Sequence, residues 1–190
     1  MATIHDQQKI SKTGIVVVVK SPDIDAANEI IEFVKSVMAQ SEYLLTDADE
    51  FTVTIDQQIE RIKSFREHPD KLMIAPTVDG KVVGLIDFSV GNRRKISHQG
   101  AFGMTVLPSL QNQGIGRMML ESVLEWASTN PRIETVRLRV HAKNLSALAL
   151  YEKLGFVKEG AEVRGVRYRS GEYDDVILMR REVKQSAQTV

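Results

Sequence analysis

The stretch QNQGIGR at residues 111–117 determines how this chain is interpreted. It follows a segment with strand character at residues 101–107 and precedes a helical pattern over residues 118–128. A helix start presents free backbone N–H groups and the positive end of the helix dipole, and both favour an anion. Gly114 and Gly116 have no Cβ, so a ligand can approach the backbone closely. The stretch predicts a phosphate-binding loop, with a plain glycine-rich helix start as the alternative.

Two common phosphate loops do not fit these residues. A P-loop requires Gly-Lys-Ser/Thr after its turn, whereas Arg-Met-Met stands at residues 117–119. The dinucleotide fingerprint requires a third glycine three residues after the second, and Met119 occupies that position. What remains is the pattern Gln-x-x-Gly-x-Gly after a strand.

A second motif follows about thirty residues later. The alternation in residues 134–140 predicts a half-buried strand. Asn144 stands where a helix N-cap is expected, and residues 145–154 form the predicted helix. Tyr151 lies two helical turns after Asn144 and on the same face. Gly155 is expected to terminate the helix before the next strand.

The two motifs together resemble the GNAT superfamily of N-acetyltransferases. The first is similar to the coenzyme A pyrophosphate loop of that superfamily. The second, N-x6-Y-x3-GF over residues 144–156, is similar to the second half of its acetyl-CoA site. Residues 171–179 resemble the last strands of branches that modify ribosomal-protein N-termini, polyamines or amino acids. The resemblance covers residues 15–181 and implies an α/β fold, with a central twisted mixed sheet of about seven strands and helices on both faces.

The resemblance also implies roles for individual residues in binding acetyl-CoA. Backbone groups of the strand before the loop would pair with the pantetheine arm, the loop would hold the pyrophosphate, Asn144 would bond the pantetheine, and Lys153 would reach the nucleotide phosphates. The expected coenzyme-binding residues are Met104, Thr105, Val106, Gln111, Asn112, Gln113, Gly114, Ile115, Gly116, Arg117, Asn144 and Lys153. Simpler roles remain open for two of these residues. Asn144 could serve only as a helix N-cap, and Arg117 could be an ordinary exposed arginine on the helix.

The chemistry of an acetyl thioester indicates which groups are needed. The amine must be neutral to attack, yet a lysine-like amine has a pKa of ~10.4, so a base or water chain must take its proton. A backbone N–H near Val106 would stabilise charge on the carbonyl oxygen. Tyr151 is the expected general acid for the leaving thiolate, with an aromatic packing role as the alternative. We expect direct transfer in a ternary complex, which agrees with the absence of cysteine.

The general base is the least defined part of the expected site. The strand at residues 98–107 contains no carboxylate, which leaves Glu50, Asp49, Asp87 and His98 as candidates. Glu50 is our choice, as a base through water or as an anchor for a cationic amine, with a solvated loop charge as the alternative. The expected acceptor pocket comprises Tyr43, Glu50, Phe51 and Asp87.

The remaining segments predict an alternation of helices and strands. A helix is expected over residues 23–40 with Ser21 as its N-cap, and another over residues 55–67. Strands at residues 71–78 and 81–90 would form a hairpin across Asp79-Gly80, whose sequence favours a type I′ turn.

Composition limits the class of protein. The 190 residues predict one domain, with a core at about residues 15–181 and frayed tails at residues 1–12 and 184–190. Lys plus Arg and Asp plus Glu number 25 each, which argues against nucleic acid as a partner. The absence of cysteine excludes thiolate metal sites, and the four histidines lack metal-ligand spacing. No apolar run is long enough to span a membrane, so a cytoplasmic protein is expected, and a homodimer is left open.

The resemblance implies an acetyl-CoA-dependent N-acetyltransferase, and we expect it to act without a metal on a small amine or an amino acid. Two alternatives stay open. One is the same chemistry on a protein N-terminus or lysine, and the other is a non-catalytic module that binds an acyl-CoA.

Overall fold

A computed structural model describes residues 2–184 of the chain. These residues form two compact units: one contains the chain through Phe88 and Gly103–Val123, and the other contains Ser89–Phe102 and the chain from Leu124. The described strands are β1 Gln7–Ile10, β2 Val16–Val19, β3 Lys71–Ile74, β4 Thr77–Val78, β5 Lys81–Val82, β6 Gly84–Val90, β7 Gln99–Val106, β8 Thr135–His141, β9 Val157–Arg167 and β10 Tyr173–Glu182. The described α-helices are α1 Ala27–Met38, α2 Ile55–Glu67, α3 Ile115–Thr129 and α4 Leu145–Lys153.

Residues 2–12 contain a paired strand, so the frayed tail expected at residues 1–12 is wrong for the residues from Ala2 onward. Strand β1 pairs antiparallel with β2, with Gln7 opposite Val19. Ala2 is only 4% exposed, and its N–H donates to the Arg66 carbonyl at 3.0 Å. The apolar β2 needs hydrogen-bonding partners along its edge, and the polar β1 provides them. The expected tail at residues 184–190 lies outside the described residues except for Lys184.

Helices α1 and α2 of the first unit differ in how closely their first residues match the sequence prediction. Helix α2 has the expected bounds and begins with a capping box, in which Thr54 and Gln57 exchange side-chain and backbone hydrogen bonds. Helix α1 begins at Ala27, after a short 3-10 turn at Ile24–Ala26. Ser21 is not its cap, because its hydroxyl instead accepts the Ile4 N–H at 3.2 Å.

The strands of the first unit are divided between two sheets. The expected strand at residues 71–78 is interrupted near Pro76, which has no N–H to donate. As a result, β3 lies beside β6, whereas β4 joins a four-stranded sheet with the order β1-β2-β4-β5. The predicted hairpin is confirmed, since Asp79 and Gly80 have φ values of 48° and 77°. Helices α1 and α2 pack with these strands around Ile30, Phe33, Ile62, Phe65 and Met73.

The second unit contains a mixed sheet. The beginning of β7 pairs parallel with β8 from Gln99 to Ala101, and β8 pairs antiparallel with β10, which pairs antiparallel with β9. Val136, Leu138 and Val140 are buried on one face of β8, which confirms the predicted alternation. This mixed sheet, together with helices, confirms the predicted α/β class. No helix within residues 2–184 combines the length and the apolar character that crossing a membrane would require.

Candidate active site

The helix after the glycine loop begins earlier than the sequence predicted. Helix α3 starts at Ile115, three residues before the expected Met118, and the Met118 N–H donates to the Gly114 carbonyl at 3.0 Å. The amides of Ile115, Gly116 and Arg117 therefore precede the first intrahelical hydrogen bond and have no acceptor within the helix. Three N–H groups at the positive end of the helix dipole are a suitable arrangement for binding an anion.

The loop backbone is shaped by two residues in the left-handed region. Asn112 has a φ of 61° and Gly114 a φ of 95°. Asparagine tolerates this conformation through its short polar side chain, and glycine adopts it without steric cost. A Cβ at Gly114 would meet no atom within 4 Å, so open space lies beside the loop at this point. The open space and the free amides are suited to an anionic ligand.

Side chains of the loop make their own contacts in the first unit. The side-chain amide of Gln111 donates through Nε2 to the Val106 carbonyl at 3.2 Å, which connects the loop to the end of β7. Arg117 donates through Nε to Glu121 Oε1 at 2.8 Å, one helical turn along α3. This exposed pair contributes little to stability. It partly offsets the unfavourable position of a cation at a helix N-terminus.

Asn144 is confirmed as the N-cap of α4 in the second unit. Its Oδ1 accepts the Ala147 N–H and the Ser146 hydroxyl, each at 3.1 Å. Its NH2 group makes no hydrogen bond to any residue between 2 and 184. Asn144 thus caps the helix with its oxygen and retains donors for a ligand. Lys153 is exposed at the end of the same helix, where a cation interacts favourably with the dipole.

Tyr151 lies in a cluster of aromatic side chains within the second unit. It is 7% exposed, and its ring centroid lies 5.9 Å from those of both Phe102 and Phe156. Burial raises the pKa of Tyr151 to about 12. The phenol therefore keeps its proton at neutral pH and is available as a hydrogen-bond donor. A donor with this pKa is a weaker acid than the ordinary phenol that the sequence suggested.

The raised pKa of Tyr151 predicts how the stability of the protein changes at alkaline pH. The pKa of Tyr151 is higher in the folded protein than the unfolded value of 10.0, because the buried site disfavours the phenolate. The protonated phenol therefore contributes its full stabilisation below about pH 10, and this contribution is lost as the pH rises toward 12. Two pKa units correspond to about 2–3 kcal/mol. We expect wild type to lose about this much unfolding free energy relative to Tyr151→Phe between pH 10 and pH 12. Urea denaturation of both proteins across this range measures the difference, and parallel curves would contradict a buried phenol.

The residues of the expected acceptor pocket do not share one environment. Glu50 is exposed, and its Oε2 accepts the Asp47 N–H at 3.0 Å, closing a turn between α1 and α2. Tyr43 is exposed in the same connection, and Phe51 is half-buried. Asp87 lies on β6, where its Oδ2 accepts from Arg61 of α2 at 3.0 Å. Burial raises the pKa of Asp87, and the Arg61 guanidinium opposes this rise.

The other base candidates contribute no buried carboxylate. Asp49 lies exposed in the connection between α1 and α2. His98 is exposed in the second unit, and its backbone carbonyl accepts the Glu134 and Thr135 N–H groups. Asp87 is therefore the most shielded of the three candidate carboxylates, the others being Glu50 and Asp49.

Sequence reasoning missed several residues around these groups. Arg61 was not recognised as the partner of Asp87, because 26 positions separate them in the chain. Phe102 and Phe156 were expected as strand residues and not as neighbours of Tyr151.

Within residues 2–184, no group of three or more His, Cys, Asp or Glu side chains is placed to hold a metal ion.

Comparison with known proteins identifies the family. The model of the acetyltransferase (GNAT) family matches residues 38–156, which is more than half of the chain. The chain belongs to this family. It is accordingly an N-acetyltransferase, and its family uses acetyl-CoA.

Two relatives and one solved structure illustrate the similarity. The L-amino acid N-acetyltransferase AaaT of Escherichia coli is 31% identical over 117 residues, covering 60% of this chain and 70% of that protein. The [ribosomal protein bS18]-alanine N-acetyltransferase of Salmonella typhimurium is 38% identical over 79 residues, covering 41% of this chain and 51% of that protein. A putative acetyltransferase from Salmonella typhimurium, solved with its cofactor acetyl-CoA, superposes with a TM-score of 0.79 at 17% identity, covering 90% of this chain and 96% of that one.

Proposed function

We propose that this protein transfers the acetyl group of acetyl-CoA to the primary amine of a small molecule, with an amino acid as the favoured acceptor. The start of α3 at Ile115 carries the coenzyme part of the proposal, because it leaves three amides free at the loop 111–117. The amino-acid part is supported by the similarity to AaaT, whose name states that substrate class.

The proposed coenzyme contacts follow the two motifs. The amides of residues 114–117 bind the pyrophosphate, and Arg117 adds charge beside it. Met104, Thr105 and Val106, which follow the β8-paired stretch of β7 in the chain, offer backbone groups to the pantetheine arm. The free NH2 group of Asn144 bonds the pantetheine, and Lys153 reaches the nucleotide phosphates.

The proposed reaction is a direct transfer in a ternary complex. The amine nitrogen forms a bond to the acetyl carbon, the carbon–sulfur bond breaks, and the coenzyme leaves as a thiol. The amine proton passes to a base, and a backbone N–H near Val106 stabilises the charge that develops on the carbonyl oxygen. Tyr151 donates its phenolic proton toward the departing sulfur.

The proposed acceptor contacts come from the first unit. Glu50 takes the amine proton through water, with Tyr43 and Phe51 contacting the rest of the acceptor. Asp87 and Arg61 form a half-exposed pair of opposite charges, which matches the ammonium and carboxylate of a free amino acid. A guanidinium fork is well suited to a carboxylate, and this feature favours an amino acid over a polyamine.

Replacing Asp87 with asparagine tests the acceptor contact. We expect Asp87→Asn to lower kcat/KM for an amino acid about tenfold, because a charged hydrogen bond of roughly 1.5 kcal/mol is lost. The KM for acetyl-CoA should stay within about twofold. Glu60→Gln is the matched control, since it removes a carboxylate from the exposed pair with Lys63 on α2. An equal loss in both variants would contradict a specific role for Asp87.

The proposed function as a whole is tested by assaying thiol release from acetyl-CoA with amino acids, polyamines and short peptides. We expect the highest kcat/KM with a free amino acid, and initial-rate plots that intersect as a ternary mechanism requires. Higher activity on peptides would instead favour a protein N-terminus or lysine as acceptor. Parallel plots would contradict direct transfer.

A further inference from the structure

The turn between β1 and β2 contacts the glycine loop from a distant part of the chain. The Lys12 N–H donates to the Gln113 carbonyl at 3.0 Å. The Thr13 hydroxyl donates to Gln113 Oε1 at 2.6 Å. Both contacts lie within the first unit, and they hold the main chain and the side chain of Gln113 at once.

The turn is held in place by its own hydrogen bonds. Ser11 is 5% exposed, and its hydroxyl accepts the N–H groups of Thr13 at 3.3 Å and Ile15 at 3.0 Å. The Ser11 N–H donates to the Ile15 carbonyl at 2.9 Å, and Gly14 closes the turn with a φ of 85°. Because β1 pairs with β2 on either side of it, the turn presents a fixed pair of donors to Gln113.

Peptide geometry connects these donors to the anion-binding amides. The Gln113–Gly114 peptide is planar and trans, so its carbonyl oxygen and its N–H point to opposite sides. The Lys12 N–H holds the carbonyl on the side of the turn. The Gly114 N–H consequently points away from the turn. Gly114 immediately precedes the three free amides of α3, so the direction of its N–H affects whether the four groups converge on one anion.

We infer that Thr13, together with the Lys12 backbone, positions the loop 111–117 for the coenzyme phosphates. This inference rests on the proposed function, in which the loop binds the pyrophosphate. Thr13 is exposed and lies outside the hydrophobic core. Its hydroxyl donates to Gln113 Oε1 at 2.6 Å and lies 3.1 Å from the Ser11 hydroxyl, so it links Gln113 to the turn. Thr13 is a positioning residue, since it acts through Gln113.

Removing the Thr13 hydroxyl separates positioning from folding. We expect Thr13→Val to raise both the KM and the Kd for acetyl-CoA about fivefold, the size of one neutral hydrogen bond. The kcat at saturation and the KM for the acceptor should stay within about twofold. Thr13→Ser should restore the wild-type values, because serine keeps the hydroxyl.

The matched control removes a similar hydroxyl elsewhere. Thr129 donates its hydroxyl to the Trp126 carbonyl at 2.9 Å at the C-terminal end of α3. Thr129→Val should leave the acetyl-CoA KM unchanged. A double-mutant cycle of Thr13→Val with Gln113→Met should show non-additive losses, because each substitution removes the same hydrogen bond between Thr13 and Gln113.

The outcomes distinguish this inference from the proposed function. An active wild type with an unchanged acetyl-CoA KM in Thr13→Val would overturn the positioning role and leave the activity intact. Equal losses in Thr13→Val and Thr13→Ser, or additive losses in the cycle, would overturn it as well. A wild type that binds no acetyl-CoA would instead overturn the proposed function.

Discussion

Tyr151→Phe should lower kcat about a hundredfold while acetyl-CoA binds with a Kd within about twofold of wild type. General acid catalysis contributes roughly 10²- to 10⁴-fold. The pKa of about 12 places Tyr151 at the lower end of that range, since a strongly held proton is transferred less readily to sulfur. Phenylalanine preserves the ring contacts with Phe102 and Phe156, so the aromatic cluster should remain packed. Initial rates at saturating substrates and calorimetric titration with acetyl-CoA measure the two quantities.

The control for this substitution is Tyr173→Phe, which removes a phenol from an exposed tyrosine whose ring lies against Arg164. It should leave kcat unchanged. If Tyr151→Phe raised the Kd in proportion to its effect on kcat, Tyr151 would be a packing residue and the thiolate would take its proton from another group.

Gly116→Val should weaken acetyl-CoA binding at least about a hundredfold. Gly116 lies in the first turn of α3, and a branched side chain there would occupy the space beside the free amides. Hydrogen bonds to charged groups contribute about 1.5–3 kcal/mol each, so losing two of them corresponds to roughly a hundredfold or more. Calorimetric titration measures the affinity, and thermal unfolding without ligand shows whether the fold is kept.

A second glycine provides the matched control for this prediction. Gly160 lies on β9 without a positive φ, and a Cβ there would meet no atom within 4 Å. Gly160→Val should therefore leave the acetyl-CoA Kd unchanged. An unchanged Kd in Gly116→Val would mean that the phosphates do not lie against this helix turn.

Local chemistry made several features of the fold predictable. Asp79-Gly80, Asn144 and Gly155 each have a preferred backbone role, and the structure places them in a turn, a cap and a helix end. The expected cap at Ser21 failed because the hydroxyl bonds to a residue 17 positions earlier in the chain. Strand β1 was missed because its polar sequence does not alternate, and it is stabilised by pairing with β2.

The candidate site was predictable to the extent that it consists of short motifs. The glycine loop and the Asn144–Phe156 segment were visible because neighbouring residues carry the pattern. The Arg61–Asp87 pair and the Thr13–Gln113 hydrogen bond join residues 26 and 100 positions apart. No local signal marks such contacts, because they arise only when the chain folds. The raised pKa of Tyr151 likewise depends on burial, which the sequence alone does not reveal.

The most direct test of acetyl transfer measures both products of one reaction. Wild-type protein is incubated with acetyl-CoA and a free amino acid, and the released thiol and the N-acetylated amino acid are quantified together. We predict equal molar amounts of the two products, with neither formed when the amine is omitted. Thiol release without an acetylated amine, or no release from a protein shown by calorimetry to bind acetyl-CoA, would contradict the proposed function.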